Sequence, residues 1–343
     1  MKRKHCISSL FLLLILWLTT TACTDRQTFA FQNQESDLFD RSEISIAVID
    51  SGLGGLAIAA DTLERMKIHR SFRQVHILFY NALFSAEGGY NSLKTREEKL
   101  RVLDSALSSL VRDYDPDLIL MGCNTLSVLY PDTEFSRKTR VPVIGILSSG
   151  VDLIAKHLKA QPESRVILFA TQTTIEEGIH KAQLVEKGFL SERIITQACP
   201  DLVPYIERGY DSDETGMLIQ AYVEEALDKL PLPTGKLFVS FNCTHYGYSE
   251  RLWNNAFRSQ GIELLATLNP NFQMNDFLFP PDRQDRFDET TVDINVVSMV
   301  KFETTRIESI GSYLEKTSPR TAQALRDYEL KPELFEWERY VKR

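Results

Sequence analysis

Ile44-Ser45-Ile46-Ala47-Val48-Ile49-Asp50-Ser51-Gly52-Leu53-Gly54-Gly55 reads as a buried strand that ends in a carboxylate and a hydroxyl and then turns, through glycines, into a helix. The apolar run predicts a strand over Ile44 to Ile49, and the helix after the turn is expected to reach about Lys67. The run is continuous rather than alternating, as in strands of a parallel sheet covered on both faces. The glycines at 52, 54 and 55 do not have the G-x-G-x-x-G spacing, and no P-loop lysine follows, which argues against a nucleotide site. What the turn offers is Asp50 and Ser51 at a strand end, beside glycine amides at a helix start that can receive a carboxylate.

The same alternation recurs along the chain. Apolar strands are expected at Val75 to Tyr80, Leu118 to Met121, Val143 to Ile146, Val166 to Ala170 and Leu237 to Phe241, with helical patterns between most of them. Strands alternating with helices predict an α/β fold with parallel sheets and helices on both faces. Ligands of such folds bind in loops at the carboxyl ends of the strands. Two cysteine motifs fall there: Gly122-Cys123-Asn124-Thr125 and Asn242-Cys243-Thr244-His245. Two thiols meeting across one site can take a proton from one face of a carbon and return one to the other face. A free thiol has a pKa near 8.5, so each needs partners that deprotonate or orient it. A carbanionic transition state also needs hydrogen bonds to the substrate carboxylate, and Ser51, Asn124, Thr125 and Thr244 are suitable donors. Each of these residues also has a structural role it can play. Asn or Thr after a strand commonly caps a helix, Asp50 can cap the helix after Gly55, Glu207 can be an exposed charge and His245 a loop histidine.

The chain of 343 residues has a formal charge of -8, with no basic patch and no long run of like charge, so it does not read as a nucleic-acid binder. Met1 to Cys23 reads as a leader. Lys2, Arg3 and Lys4 precede an apolar run from Ile7 to Leu18, then Thr19-Thr20-Thr21-Ala22-Cys23. The run is shorter than the roughly 20 residues of a spanning helix. Cys23 after Ala22 looks like the acylated cysteine of a bacterial lipoprotein, which predicts an exported domain on a lipid anchor after a polar tether ending near Glu43. Of five cysteines, Cys6 and Cys23 then lie outside the folded part, leaving Cys123, Cys199 and Cys243. An odd number forbids a complete disulfide framework within one chain. One bridge is the structural alternative, and Cys199, followed by Pro200, is expected to be a packed small residue.

Taken together these motifs resemble the cofactor-independent glutamate racemases. Asp50-Ser51-Gly52-Leu53-Gly54-Gly55 is similar to their D-S-G-x-G-G opening, and Cys123-Asn124-Thr125 and Cys243-Thr244-His245-Tyr246 to their two cysteine motifs. Ala198-Cys199-Pro200-Asp201-Leu202-Val203-Pro204, followed by Glu207, is similar to their A-C-P-x-x-V-P segment and its glutamate. The resemblance spans about Ile44 to Leu278. It implies two similar Rossmann-like, flavodoxin-like domains facing each other, one cysteine from each, a small amino-acid substrate between them and no cofactor or metal. It also implies acids Asp50 and Glu207 behind the thiols, His245 beside the second, and Tyr90 among the substrate-binding residues. By analogy the first domain covers residues 44–142 and 246–278, the second 143–245, and the C-terminal extension 279–343 packs on the first. A homodimer is left open.

The departures bear on the substrate. Tyr80-Asn81-Ala82 with Gly88-Gly89-Tyr90-Asn91, Ser148-Ser149-Gly150 and Gln172-Thr173-Thr174 replace family loops expected at the substrate end of the cleft. Racemisation is therefore better supported than glutamate as its substrate, and aspartate or hydantoin racemases are close alternatives. The alternative of another class is a surface lipoprotein that binds an amino acid without turnover.

Overall fold

The computed structural model describes residues 38–86, 88–230 and 235–341. The expected leader, Cys23 and the tether as far as residue 37 lie outside the described residues. Residues 1–42 form one unit, of which 38–40 are helical, and Glu43–Arg343 forms a second; all that follows concerns the second.

Its first strand, β1 (Glu43–Asp50), is almost wholly buried from Ile46 onward. Helix α1 (Leu56–His69) follows, burying Leu56, Ile58, Leu63 and Met66, and stops where Arg70 adopts φ 54° and returns its N–H to Met66 O. Strand β2 (Gln74–Asn81) leads to α2 (Arg96–Tyr114), which Thr95 and Glu98 start as a reciprocal capping box. Next come β3 (Leu118–Met121), with every residue buried, and the short helices α3 (Asn124–Leu129) and α4 (Glu134–Lys138). Strand β4 (Val143–Gly145) passes directly into α5 (Ile146–Ala160).

The second sheet begins at β5 (Arg165–Ala170) and continues through α6 (Gln172–Glu177), α7 (Ile179–Glu186), β6 (Ile194–Ala198), α8 (Leu202–Arg208), α9 (Asp213–Leu227) and β7 (Leu237–Asn242). Helix α10 (Glu250–Ser259) connects it to β8 (Leu264–Leu268). The C-terminal segment contributes β9 (Thr291–Ser298), α11 (Thr304–Leu314), α12 (Pro319–Arg326) and β10 (Glu329–Leu330). The strand orders are β10-β9-β2-β1-β3-β4 and β6-β5-β7-β8, and all pairings between these strands are parallel. The fold is thus the pair of parallel α/β domains that the alternation predicts.

The expected domain boundaries need correction. Strand β4 pairs with β3, so Val143–Gly145 closes the first sheet rather than opening the second domain. Strand β8, placed in a return segment to the first domain, pairs with β7 at the edge of the second sheet. The reason is topological: parallel neighbours need a crossover, and α10 is the crossover that lays β8 beside β7. In the C-terminal segment β9 pairs with β2 along its whole length, from Gln74↔Thr291 to Asn81↔Ser298. Pro319 opens α12 at its first position, where its missing N–H is not needed.

Candidate active site

Each sheet has one point where the chain reverses its direction of strand addition. In the first, β1 lies between β2 and β3; in the second, β5 lies between β6 and β7. The loops that leave neighbouring strand ends at these points splay apart and form a crevice. Asp50 and Ser51 leave β1 and Cys123 leaves β3 at one crevice; Thr171 leaves β5 and Cys243 leaves β7 at the other. A cavity of about 420 Å³ is lined by both sets, and it takes in every residue expected from the sequence: Asp50, Ser51, Tyr90, Cys123, Asn124, Thr125, Glu207, Cys243, Thr244 and His245. Cys123, Cys199 and Cys243 are all free thiols, so the alternative of a bridge is not realised. Among the described residues no cluster of three or more His, Cys, Asp or Glu is arranged to hold a metal.

On the first side, the Gly122 N–H donates to Ile49 O at 3.0 Å, holding the end of β3 against the end of β1. Cys123 Sγ then lies 3.3 Å from Ser51 Oγ. Burial and, next, the Asp50 charge push the Cys123 thiol far above its usual range, against the hydrogen bond from Ser51. The resemblance places Asp50 behind Cys123, and its charge does act on that thiol. Its side-chain hydrogen bond crosses the cavity, where Thr244 Oγ1 donates to Asp50 Oδ2 at 2.8 Å, while Oδ1 is buried without a partner. Burial raises the Asp50 carboxyl to about 6 against the pull of His245 and Thr244. The two thiols are therefore not partnered alike: at Cys123, buried beside a carboxylate and with no cation of its own, the surroundings favour the protonated form.

The second side is built differently. Cys243 Sγ lies 3.7 Å from His245 Nδ1, and His245 Nε2 lies 2.8 Å from Glu207 Oε1 on α8. That same oxygen accepts the Leu53 N–H at 2.9 Å, and Glu207 Oε2 accepts from Arg306 Nη1 at 3.3 Å. With Nε2 donating to Glu207, Nδ1 is the atom left to exchange a proton with Cys243. Burial opposes charge on His245, yet the contacts with Cys243 and Glu207 outweigh it and hold the imidazole well above its ordinary value. Burial likewise opposes charge on Glu207, but His245, Arg306 and the Leu53 amide together hold its carboxyl below the usual range. The exposure of the two thiols is nearly the same, 5% at Cys123 and 6% at Cys243, so the difference between them is electrostatic.

The two sides are laced together at the glycine turn. A Cβ on Gly54 would fall 2.6 Å from His245 Nδ1 and 2.8 Å from the His245 amide nitrogen. Only glycine lets the β1 turn and the Cys243 loop approach this closely. Tyr248 donates its hydroxyl to Leu53 O at 2.9 Å, fixing the same turn from the other side. Thr125 is bonded to Thr171 at 2.8 Å, so each cysteine loop is tied to the opposite sheet. Asn124 Oδ1 accepts from His180 Nε2 at 3.0 Å, and burial lowers His180 to about 4, leaving it neutral. The Asn124 amide nitrogen and the Tyr90 hydroxyl are buried without partners. Both are donors available to a polar ligand.

The altered loops divide on inspection. Gly88, Gly89, Tyr90, Asn91 and Gln172 line the cavity. Ser148, Ser149 and Gly150 lie inside α5 and do not line it, which corrects their expected place at the substrate end. Cys199 lines the cavity, buried, with Sγ 3.9 Å from Gln197 O. Sequence reasoning missed Thr171, which the strand-end rule that found Cys123 would also have found. It missed Arg306 and His180 as well, for which no local signal exists.

With this geometry in view, comparison with known proteins is informative. Residues 63–230 match the Asp/Glu/Hydantoin racemase family. That span holds Cys123 and Glu207; Asp50, Cys243 and His245 lie outside it and join them through the fold. The chain is similar to the glutamate racemase of Persephonella marina, 27% identical over 204 residues that make up 59% of this chain and 71% of that protein. It is also similar to that of Chlorobaculum tepidum, 27% identical over 208 residues, 60% of this chain and 69% of that protein. Among solved structures, glutamate racemase from Francisella tularensis subsp. tularensis, in complex with D-glutamate, superposes with TM-score 0.61 at 20% identity, covering 82% of this chain and 96% of that one. An isoform from Bacillus anthracis gives 0.61 at 16% identity, covering 84% and 96%. The structural likenesses show the shared fold. The family match and the sequence relatives support an isomerase of the amino-acid racemase class. The family whose model matches and the relatives of similar sequence are aspartate, glutamate and hydantoin racemases.

Proposed function

We propose that the chain interconverts the enantiomers of an acidic amino acid, glutamate first, by proton transfer between Cys123 and Cys243 on opposite faces of the α-carbon. The observation that carries this reading is the pair of free, buried thiols brought to one cavity from different sheets, one beside His245 and Glu207 and the other held by Ser51. In one direction the Cys243 proton resides on His245, and the thiolate takes the α-proton. A carbanion remains, its charge spread into the substrate carboxylate. The Cys123 thiol then gives its proton to the opposite face, leaving Cys123 as thiolate and Cys243 as thiol. The reverse reaction starts from that second state.

Ser51, Asn124, Thr125, Thr244 and Tyr90 supply hydrogen bonds to the carboxylates, and aligned donors of this kind are worth most where charge develops. No step draws on a cofactor. Glutamate is preferred over aspartate because the curated relatives are glutamate racemases. The leader pattern ending at Cys23 adds the proposal that the enzyme is exported and lipid-anchored, acting on amino acids released from the cell wall rather than supplying its synthesis. Labelled palmitate retained by the wild-type chain and lost in Cys23→Ala would support that placement.

Proton NMR of the reduced protein in heavy water, with each enantiomer of glutamate and then of aspartate, tests the reaction. The expected result is loss of the α-proton signal together with inversion for one acidic amino acid. Tight binding of that ligand with no α-exchange, in folded protein with free thiols, would move the assignment to a binding module.

A further inference from the structure

Arg306 is the single lysine or arginine among the described residues that line the cavity, and it comes from the C-terminal segment, on α11. Its side chain is 14% exposed. Nη1 meets Glu207 Oε2 at 3.3 Å, and Nε, buried without a hydrogen bond, lies 3.8 Å from Glu303 Oε2. We propose that Arg306 is a positioning residue of the Cys243 half of the site, holding Glu207 as a neutralised carboxylate so that Cys243 and His245 can share their proton as thiolate and imidazolium.

The argument is one of charge in a buried network. His245 is faced by Cys243 from its own loop, by Glu207 on α8, by Asp50 at the end of β1 and by the Tyr248 ring, whose centroid is 6.3 Å away. Glu207 is faced by His245, the Leu53 amide and Arg306. With Arg306 in place, the Glu207 and Arg306 charges cancel, and thiolate and imidazolium form a pair without net charge. Without it, the same pair has to exist beside an uncompensated buried carboxylate, and above about pH 6 beside the Asp50 carboxylate too. The network then keeps one more proton, and the thiol is where it resides.

A simple structural tie is the competing explanation, and α11 has other anchors that separate the two. Ser309 Oγ accepts the Tyr210 N–H at 3.2 Å, and the Tyr210 and Tyr313 rings meet edge-on at 5.4 Å. Arg306 is therefore not needed to dock α11, and Ser309→Ala removes a docking contact while leaving the cavity intact.

The role in turnover rests on the proposed racemisation; the effect on the thiol does not. The full chain and its Arg306→Met, Arg306→Lys and Ser309→Ala variants, each checked for folding by circular dichroism, are treated with iodoacetamide over a range of pH, and modification of Cys243 is followed by mass spectrometry. The rate of Cys243 modification near neutral pH is expected to fall about tenfold in Arg306→Met, to return most of the way in Arg306→Lys and to be unchanged in Ser309→Ala. Coincident rates for wild type and Arg306→Met, or an equal fall in Ser309→Ala, would overturn the proposal.

The second readout is the α-deuterium isotope effect on kcat/KM for each enantiomer. Because the two directions of a racemase must have equal kcat/KM, a variant that weakens only the Cys243 step cannot slow one direction more than the other. It shifts the isotope effect instead, upward for the enantiomer whose proton Cys243 removes and downward for its mirror image. Equal changes for both enantiomers count against the role. If wild-type protein turns over no acidic amino acid, the racemase reading fails, and the alkylation profile still decides the claim about Arg306.

Discussion

The Cys123 and Cys243 loops are built on the same plan, a thiol directly after a buried parallel strand at a switch point, yet their surroundings differ in kind. Cys123 has a hydroxyl partner, Ser51, and a nearby acid, Asp50, whose hydrogen bond is spent on Thr244. Cys243 has an imidazole, behind it a carboxylate, and behind that a guanidinium. With burial nearly equal, the first arrangement keeps a proton on sulfur and the second offers it a place to go. The comparison teaches that a reaction requiring one acid and one base can begin from a fold with two like halves, provided charge is placed unequally around equal thiols.

The largest expected effect comes from removing either thiol. Cys123→Ser and Cys243→Ser should each lower racemisation by about three orders of magnitude or more, the scale of a lost acid or base. Each should retain α-proton exchange with one enantiomer at best, and the enantiomer should differ between the two. Normal racemisation in both would break the comparison at its root. Next is His245→Asn, expected to cost about a hundredfold in kcat/KM and to raise the α-deuterium effect for the Cys243 enantiomer alone. An equal rise for both would mean that His245 serves the two halves alike.

Asp50→Asn separates stability from function. Its carboxyl titrates near 6 in the folded protein against 3.8 as the ordinary value, so the folded state binds the proton more readily than the unfolded one. Stability therefore falls as pH rises from about 4 to about 6, and the deficit is fully present above that. At pH 7.5 Asp50→Asn should unfold at a higher temperature than wild type, by up to about 3 kcal/mol in stability, while at pH 4 most of the gain disappears. The same variant should alkylate faster at Cys123, because the Asp50 charge is one of the influences that raise that thiol. Denaturation at the two pH values and iodoacetamide labelling of Cys123 check both halves of the statement. The smallest effect concerns the seam: Gly54→Ala should destabilise by about 1–3 kcal/mol, as overpacking does, because the added methyl meets His245. Urea titration measures it.

How much of this was legible in the sequence follows from where each signal lives. The central strands β1, β3, β5 and β7 are covered on both faces, so they appear as unbroken apolar runs. Strands β6 and β8 sit at the two edges of the second sheet, and Thr196 with Gln197 in the one and Thr267 in the other break the apolar run on which a strand reading rests. The boundary errors at β4 and β8 have the same root: a short edge strand carries no mark of which sheet it joins. At the site, Asp50, Ser51, Cys123, Cys243, Thr244 and His245 could be found because each lies within a few residues of a legible strand end. Glu207 was identified by resemblance, since nothing in α8 itself marks it. Arg306 and His180 arrive by tertiary contact alone, 99 residues from Glu207 and 56 from Asn124, and no local pattern encodes that.

The most direct measurement of the unequal pair is the rate of iodoacetamide modification of each thiol in the ligand-free wild-type protein at pH 7, resolved by mass spectrometry. With burial nearly equal at the two positions, the account predicts that Cys243 is modified at least tenfold faster than Cys123. Equal rates, or faster modification of Cys123, would contradict it.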